Sequence, residues 1–483
     1  MQYKWIALTV TVIGIFMVGL DSRIVIIGLP QVAKQLNADP EQAIWITQSY
    51  VLTNTLMLLL IGRLSDIFGR IRLYTIGFAV FTFGSALTSL GITPIDVIIF
   101  RAIQGFGAAL IFANSIAIVT DASPKNELGL FVGINQISFR AGALLGLTLS
   151  GLILSYLDWR ALFYINIPVG IFGTYWAQKR LQEVAYLDKN RKIDWLGFAL
   201  FSAFLLSFML SLTFSAYGIS SLNIAYTLLL FSTVFAALFI IWQRKTSNPL
   251  LDLKMFKIRE VTGGVTAVLL NVIAWAAFLL LLSLQFQLII GDSPLQAGIK
   301  ILPFEIAFLA VGPLSGKLSD KYGYARFTIT GLILNSAGLI LFSIATEATA
   351  YPLIALYMII MGIGTGLFLA PNLRSVMGAL PMQRRGIGSA LVSLFLNIGL
   401  TISLNLAIVL MSFTAPYTTI TNAISALNPT ILSAADKALF FTSIKNTYFA
   451  LAIINAIAII PSILQVKGKK QQKQKTTTLT LEG

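Results

Sequence analysis

The chain contains no cysteine and no histidine, and only 11% of its 483 residues are charged. Without cysteine there is no disulfide framework and no thiolate metal site. Without histidine the commonest metal ligand is missing, and so is the side chain whose charge ordinarily changes near neutral pH. Any proton carrier here has to be a carboxylate. No Gly-x4-Gly-Lys-Ser/Thr loop occurs, which argues against ATP hydrolysis within the chain. With no metal cluster and no nucleophile–base pair, the sequence points away from an enzyme. The shortage of charge is the most restrictive absence. A soluble domain carries about 25% charged residues, so the charges present are too few to cover a soluble surface of this size.

What replaces them is apolar: 57% of the residues are hydrophobic, in run after run long enough to cross a bilayer. Fourteen spans are predicted, near 5–30, 43–62, 73–92, 97–120, 128–155, 161–178, 195–216, 222–242, 261–289, 296–316, 327–346, 352–378, 387–413 and 441–466. The first run is long enough to span and lacks an Ala-x-Ala-like cleavage site, so it reads as a span and not as a removable signal peptide. The net charge of +15 sits in short loops and a tail. With the N-terminus inside, the inner loops and tail hold 25 Lys and Arg, whereas the outer loops and adjoining span ends hold four: Lys34, Arg160, Lys437 and Lys445. That asymmetry places both termini in the cytoplasm and removes the need for a nucleic-acid partner. The basic tail from Lys467 to Lys475 reads as a disordered segment at the anionic inner leaflet.

One charged turn organises the rest. Gly62-Arg-Leu-Ser-Asp66-Ile-Phe-Gly-Arg70 lies between the second and third spans, and it returns as Gly316-Lys-Leu-Ser-Asp320-Lys-Tyr-Gly323 between the tenth and eleventh. Two equivalent turns mean two equivalent halves, and internal repeats in a membrane protein mark a secondary transporter. The domains follow: an N-terminal six-helix bundle at 1–180, an inserted helix pair with its linkers at 181–260, a C-terminal six-helix bundle at 261–466, and the tail at 467–483. Gly62, Asp66, Arg70, Gly316 and Asp320 are the expected gating-loop residues. The turn resembles the cytoplasmic loop between the second and third spans of the major facilitator superfamily.

Further stretches narrow the resemblance: Arg101-Ala-Ile-Gln104-Gly105 in the fourth span, Asp158-Trp-Arg160 through Asn166-Ile-Pro168 entering the sixth, Asp194-Trp-Leu-Gly197 opening the seventh, Asn248-Pro-Leu-Leu-Asp252 before the ninth, and Gly291-Asp-Ser-Pro294 through Gly298 joining the ninth and tenth. Together they are similar to the fourteen-span drug:proton antiporter family of that superfamily, over nearly the whole chain. The resemblance implies an all-α membrane protein with the major-facilitator fold, in which two six-helix bundles and an inserted pair work by alternating access. It implies export of small amphipathic compounds against proton entry, with no cofactor beyond the proton gradient. It also implies a multi-pass location in a plasma or inner membrane. A monomer in contact with lipid, substrate and protons is expected. The pattern departs at Arg23, where the family has Thr, and at Gly146-Leu147 and Ser150-Gly151, where it has Gly-Pro and a Gly pair.

Charges inside the spans carry the chemistry. Asp21 falls at the family's first-span acidic position and Arg101 at its fourth-span arginine. They lie at comparable depth, as a structural ion pair or as a proton-coupling element. Water loss favours a protonated carboxyl and a neighbouring guanidinium favours the ionised form, so Asp21 is expected to carry the proton, with Glu305 second. Gly142 and Gly146 form a Gly-x3-Gly face suited to close helix packing. The spans hold Arg23, Arg101, Arg140 and Arg374 against Asp21 and Glu305. That excess favours an anionic substrate engaged by Arg23 and Arg140, whereas a snorkelling Arg374 and a structural Arg101 would leave a cavity suited to cationic or mixed drugs. Asn271, Gln285 and Asn397 either line the cavity or bond other helices. A non-transporting membrane sensor is the remaining class, and a pH-dependent flux assay separates it.

Overall fold

The computed structural model describes residues 3–123, 128–183, 192–216, 221–380, 385–417, 419–420 and 433–465. The basic tail lies outside them, as do residues 418 and 421–432 between the last two predicted spans. Among the described residues the chain is helical, with no strand. The first nine helices are α1 (Tyr3–Gln35), α2 (Pro40–Phe68), α3 (Arg70–Leu90), α4 (Pro94–Ala122), α5 (Leu128–Tyr156), α6 (Ala161–Tyr164), α7 (Asn166–Arg180), α8 (Trp195–Ala216) and α9 (Leu222–Lys245). They are followed by α10 (Arg259–Leu284), α11 (Pro294–Tyr322), α12 (Tyr324–Ile344), α13 (Tyr351–Gly378), α14 (Arg385–Ser412) and α15 (Ala434–Ile457). Among the described residues, thirteen helical stretches are long and apolar enough to cross a membrane.

The predicted sixth span is the exception, because it is split at Ile165 into α6 and α7. Pro168 is the cause: it has no N–H to donate to the carbonyl of residue 164, and its ring crowds that carbonyl. Proline is tolerated in the first turn of a helix, so the chain starts α7 afresh at Asn166. The ninth span also ends irregularly, in a π-helical turn at Gln285–Ile290 closed by Gly291 in the left-handed conformation.

Helix starts follow local chemistry. Thr93 caps α4, with Asp96 N–H donating to its hydroxyl (3.2 Å) and Thr93 N–H donating to the Asp96 carboxylate (2.9 Å). The two repeated turns share one backbone form. Gly69 has φ 94° and Gly323 φ 84°, a region that penalises any Cβ, and each donates its N–H to the carbonyl of the serine four residues earlier at 3.1 Å. The sequence repeat is thus a repeat of conformation.

The contacts divide the chain into two compact units, Met1–Leu251 with Ser283–Lys300 and Ala415–Phe440, and Asp252–Leu282 with Ile301–Thr414 and Phe441–Gly483. In the first unit α1 packs on α5 and α4, and α4 also packs on α2 and α3. Tyr74, Phe78 and Phe81 of α3 fill the interior beside Val18 and Ile111. In the second unit Phe278, Phe342 and Tyr448 form a mutual aromatic cluster with centroids 4.9–5.7 Å apart.

The Gly-x3-Gly face of α5 lies against α1. A Cβ on Gly142 would overlap the carbonyl oxygen of Phe16, and one on Gly146 would overlap that of Leu20. Replacing Gly142 by valine is expected to destabilise the first unit by about 1–3 kcal/mol or more through overpacking, read as a fall of several degrees in thermal unfolding in detergent. An unchanged transition would mean that α1 and α5 do not depend on this close approach.

Candidate functional site

The first unit gathers its deepest charges at one point. Asp21 on α1 is fully buried and Arg101 on α4 is 1% exposed. Arg101 Nη1 donates to Asp21 Oδ2 at 2.7 Å and to Gln104 Oε1 at 2.6 Å. Residues three apart share a helix face, so Gln104 stands beside Arg101. Its amide Nε2 donates to Asp21 Oδ1 at 2.9 Å and to Ser85 Oγ on α3 at 2.6 Å. Asn166, the first residue of α7, completes the set by donating from Nδ2 to Asp21 Oδ1 at 3.0 Å. The carboxylate therefore accepts three hydrogen bonds from three side chains, one of them from a charged donor.

The guanidinium has its own bed. Its carbon lies 4.2 Å from the ring centroid of Tyr50 and 5.5 Å from that of Phe163, and Nε donates to the Ile46 carbonyl at 3.4 Å. Such cation–π contacts strengthen when water is excluded. Gly105 permits this geometry, since a Cβ there would overlap the Tyr50 carbonyl and hold α2 away from α4. Arg101 keeps Gln104, Ile46 and two rings as partners apart from Asp21. The pair can therefore loosen without leaving a bare cation, which is the chemistry a proton-switched contact requires.

Sequence reasoning singled out Asp21 and Arg101, and the fold joins them. It quoted Gln104 and Asn166 within motifs without giving them a role. The three-residue spacing from Arg101 was a usable signal for Gln104; Ser85 and Tyr50 carried none. The other predicted residues lie elsewhere. Arg23 and Arg140 are half-buried on α1 and α5. Gln285 is buried in the π-helical turn. In the second unit Glu305 is buried on α11 and Asn397 is largely buried on α14, donating to the Ser393 carbonyl at 2.8 Å. Asn271 donates to Asn455 Oδ1 at 2.8 Å, and Asn455 donates in turn to the Leu332 carbonyl and Ser336 Oγ, both at 2.9 Å. Asn271 thus takes part in a helix-to-helix amide network. Arg374 is exposed.

The turn at Gly62–Arg70 is anchored from three directions. Gly62 itself is exposed, while Arg70 pairs with Asp121 at the end of α4. Glu183, beyond α7, accepts the Ile71 N–H at 3.0 Å, and Arg63 donates to the Pro249 carbonyl at 2.6 Å. Pro249 lies in the linker after the inserted pair α8–α9. That pair is clipped at its base by buried Asp194, which caps α8 through Gly197 N–H (2.8 Å) and accepts from Trp242 Nε1 and Gln243 Nε2, both at 2.7 Å. Gly316 of the second turn is half-buried. The side chains of Asp66 and Asp320 lie outside the described residues.

Comparison with known proteins agrees with this architecture. The model of the Major Facilitator Superfamily matches residues 11–256 and 264–477. The chain is 30% identical over 404 residues to multidrug resistance protein Stp of Mycobacterium tuberculosis, covering 82% of this chain and 74% of that protein. It is 29% identical over 404 residues to the riboflavin transporter RibZ of Clostridioides difficile, covering 82% and 86%. It is 28% identical over 399 residues to multidrug resistance protein 3 of Bacillus subtilis, covering 82% and 77%. Among solved structures, a D-xylose-proton symporter superposes with a TM-score of 0.64 at 16% identity, covering 95% of this chain and 97% of that one. A bacterial homologue of the human lysosomal transporter Spinster gives 0.63 at 14% identity, covering 97% and 98%. At these identities the structures speak for the fold.

Proposed function

The chain belongs to the Major Facilitator Superfamily, and on that footing we propose that this multi-pass membrane transporter is a proton-coupled antiporter. It exports small amphipathic compounds by alternating access. The observation that carries the reading is the buried knot of Asp21, Arg101, Gln104 and Asn166. A buried ion pair is seldom worth more to stability than apolar side chains of the same volume, and ionisable groups at membrane depth are costly and usually functional. A carboxylate whose partner cation has alternative acceptors suits reversible proton uptake. Names of relatives such as the multidrug resistance proteins support a broad amphipathic substrate range. The loop charge asymmetry supports cytoplasmic termini in a plasma or inner membrane. The protein is taken to act as a monomer.

A second reading, export of one organic anion or carboxylate, is favoured by a specific observation. The half-buried Arg23 on α1 and Arg140 on α5 supply it, since a guanidinium fork matches a carboxylate with paired donors. A relative named as a riboflavin transporter keeps a single defined solute in view. The test is uptake into inverted proteoliposomes with panels of lipophilic cations and organic anions. Multidrug export predicts transport of several unrelated cationic or neutral amphiphiles, with little effect of Arg140→Ala. Transport restricted to anions and lost in Arg140→Ala would replace it with the anion reading.

A further inference from the structure

Protonating Asp21 changes what its neighbours must do. The ionised carboxylate only accepts hydrogen bonds, whereas the acid carries an O–H that needs an acceptor of its own. In a buried site an unsatisfied O–H is costly, so proton uptake depends on some neighbour that can change from donor to acceptor. Most of the knot cannot. Arg101 has donors only. Gln104 is committed at both ends, since Oε1 accepts from Arg101 and Nε2 donates to Ser85 as well as to Asp21. Turning its amide over would aim an NH2 group at a guanidinium.

Asn166 differs. Its Nδ2 donates to Asp21 Oδ1 at 3.0 Å, and among the described residues its Oδ1 makes no hydrogen bond. The two ends of a primary amide have nearly the same shape and opposite polarity. A half-turn about the Cβ–Cγ bond of Asn166 therefore puts a carbonyl oxygen where the NH2 group stood without moving the helix. The side chain is 2% exposed and belongs to the first residue of α7.

We propose that Asn166 is the positioning residue that reads the protonation state of Asp21. It donates to the carboxylate in one state and accepts from the carboxylic acid in the other. This rests on the proton-coupled reading above. A proton arriving at Oδ1 of Asp21 forms the O–H bond, and the Asn166 Nδ2–H···Oδ1 hydrogen bond breaks. The amide turns, and its Oδ1 accepts the new O–H. Arg101 keeps its charge and remains on Gln104 Oε1, the Ile46 carbonyl and the two rings. Release of the proton reverses each change. The charged and titratable groups around Asp21 are Arg101 from α4 and Tyr50 from α2. Helix α3 contributes Ser85 and α7 contributes Asn166, and α5 meets α1 here through glycines 142 and 146 against the backbone.

The test uses the full chain in proteoliposomes with three side chains at position 166. Asn166→Leu keeps the approximate volume without donor or acceptor; Asn166→Thr keeps a hydroxyl that is both. Asn166→Leu removes a hydrogen bond from each protonation state, and because the bond to the ionised carboxylate is the stronger of the two, the pH of half-maximal transport is expected to move to the alkaline side by up to about one pH unit. Asn166→Thr is expected to restore most of the wild-type profile. A readout independent of transport is the pH-dependent infrared band of the buried carboxylic acid, assigned by its loss in Asp21→Asn. Its midpoint should move with Asn166→Leu in the same direction. An unchanged profile and band in Asn166→Leu would overturn the proposal, as would a Thr variant that behaves like the Leu variant. A wild-type protein whose transport ignores pH altogether would instead overturn the proton-coupled reading.

Discussion

Methionine in place of Arg101 is expected to destabilise the folded protein by about 3–5 kcal/mol, the usual consequence of removing one partner from a buried ion pair. Asp21 would be left fully buried, with amide donors as its remaining partners. The Tyr50 ring and the Ile46 carbonyl would lose the cation they now face. The loss should appear as a lower thermal transition in detergent and a smaller monodisperse fraction. The informative comparison is the double variant Asp21→Asn with Arg101→Met. Removing both charges removes the penalty of the stranded one, so the double variant should be more stable than Arg101→Met alone. Wild-type stability in Arg101→Met, or additive losses in the double variant, would mean that the two side chains are not energetically linked.

The second large effect concerns transport. Asn in place of Asp21 keeps the volume but cannot exchange a proton. Net flux driven by a pH gradient is expected to fall to the level of protein-free vesicles. Exchange of labelled for unlabelled substrate at equal concentration, which needs no net proton movement, should persist. The contrast separates a dead protein from an uncoupled one. If Asp21→Asn retains full pH-driven flux, the proton carrier lies elsewhere, and Glu305, buried on α11, becomes the residue to replace next.

The repeated turn was the most legible part of the chain, because its logic is local. Glycine at positions 69 and 323 is demanded by a positive φ that any Cβ would strain, and serine four residues earlier receives the N–H in both copies. The long apolar runs were equally plain, since a bilayer sets helix length directly. The split of the sixth span is visible in retrospect at Pro168. The π-helical end of the ninth span has no comparable marker, and we have no local account of it.

The site was half legible. Asp21 and Arg101 stood out as charges inside apolar runs, and their depths suggested that they meet. Asn166 and Tyr50 did not stand out, because an amide or a phenol is ordinary in a helix and acquires a role only through neighbours distant in sequence. Asn166 lies 145 residues from Asp21. Asp194 shows the same limit: its place before a helix predicts a cap, whereas its hold on Trp242 and Gln243 depends on the return of α9. Asn271 shows the reverse, since a residue that suited a polar cavity lies in an amide network with Asn455.

The most direct test of proton coupling is to follow protons and substrate together in proteoliposomes, with a pH-sensitive dye inside and a labelled amphipathic compound as cargo. The account predicts that adding the compound collapses an imposed pH gradient in step with its movement, with opposite directions for proton and cargo. Cargo movement that leaves the gradient untouched, at the same rate with and without it, would contradict the account.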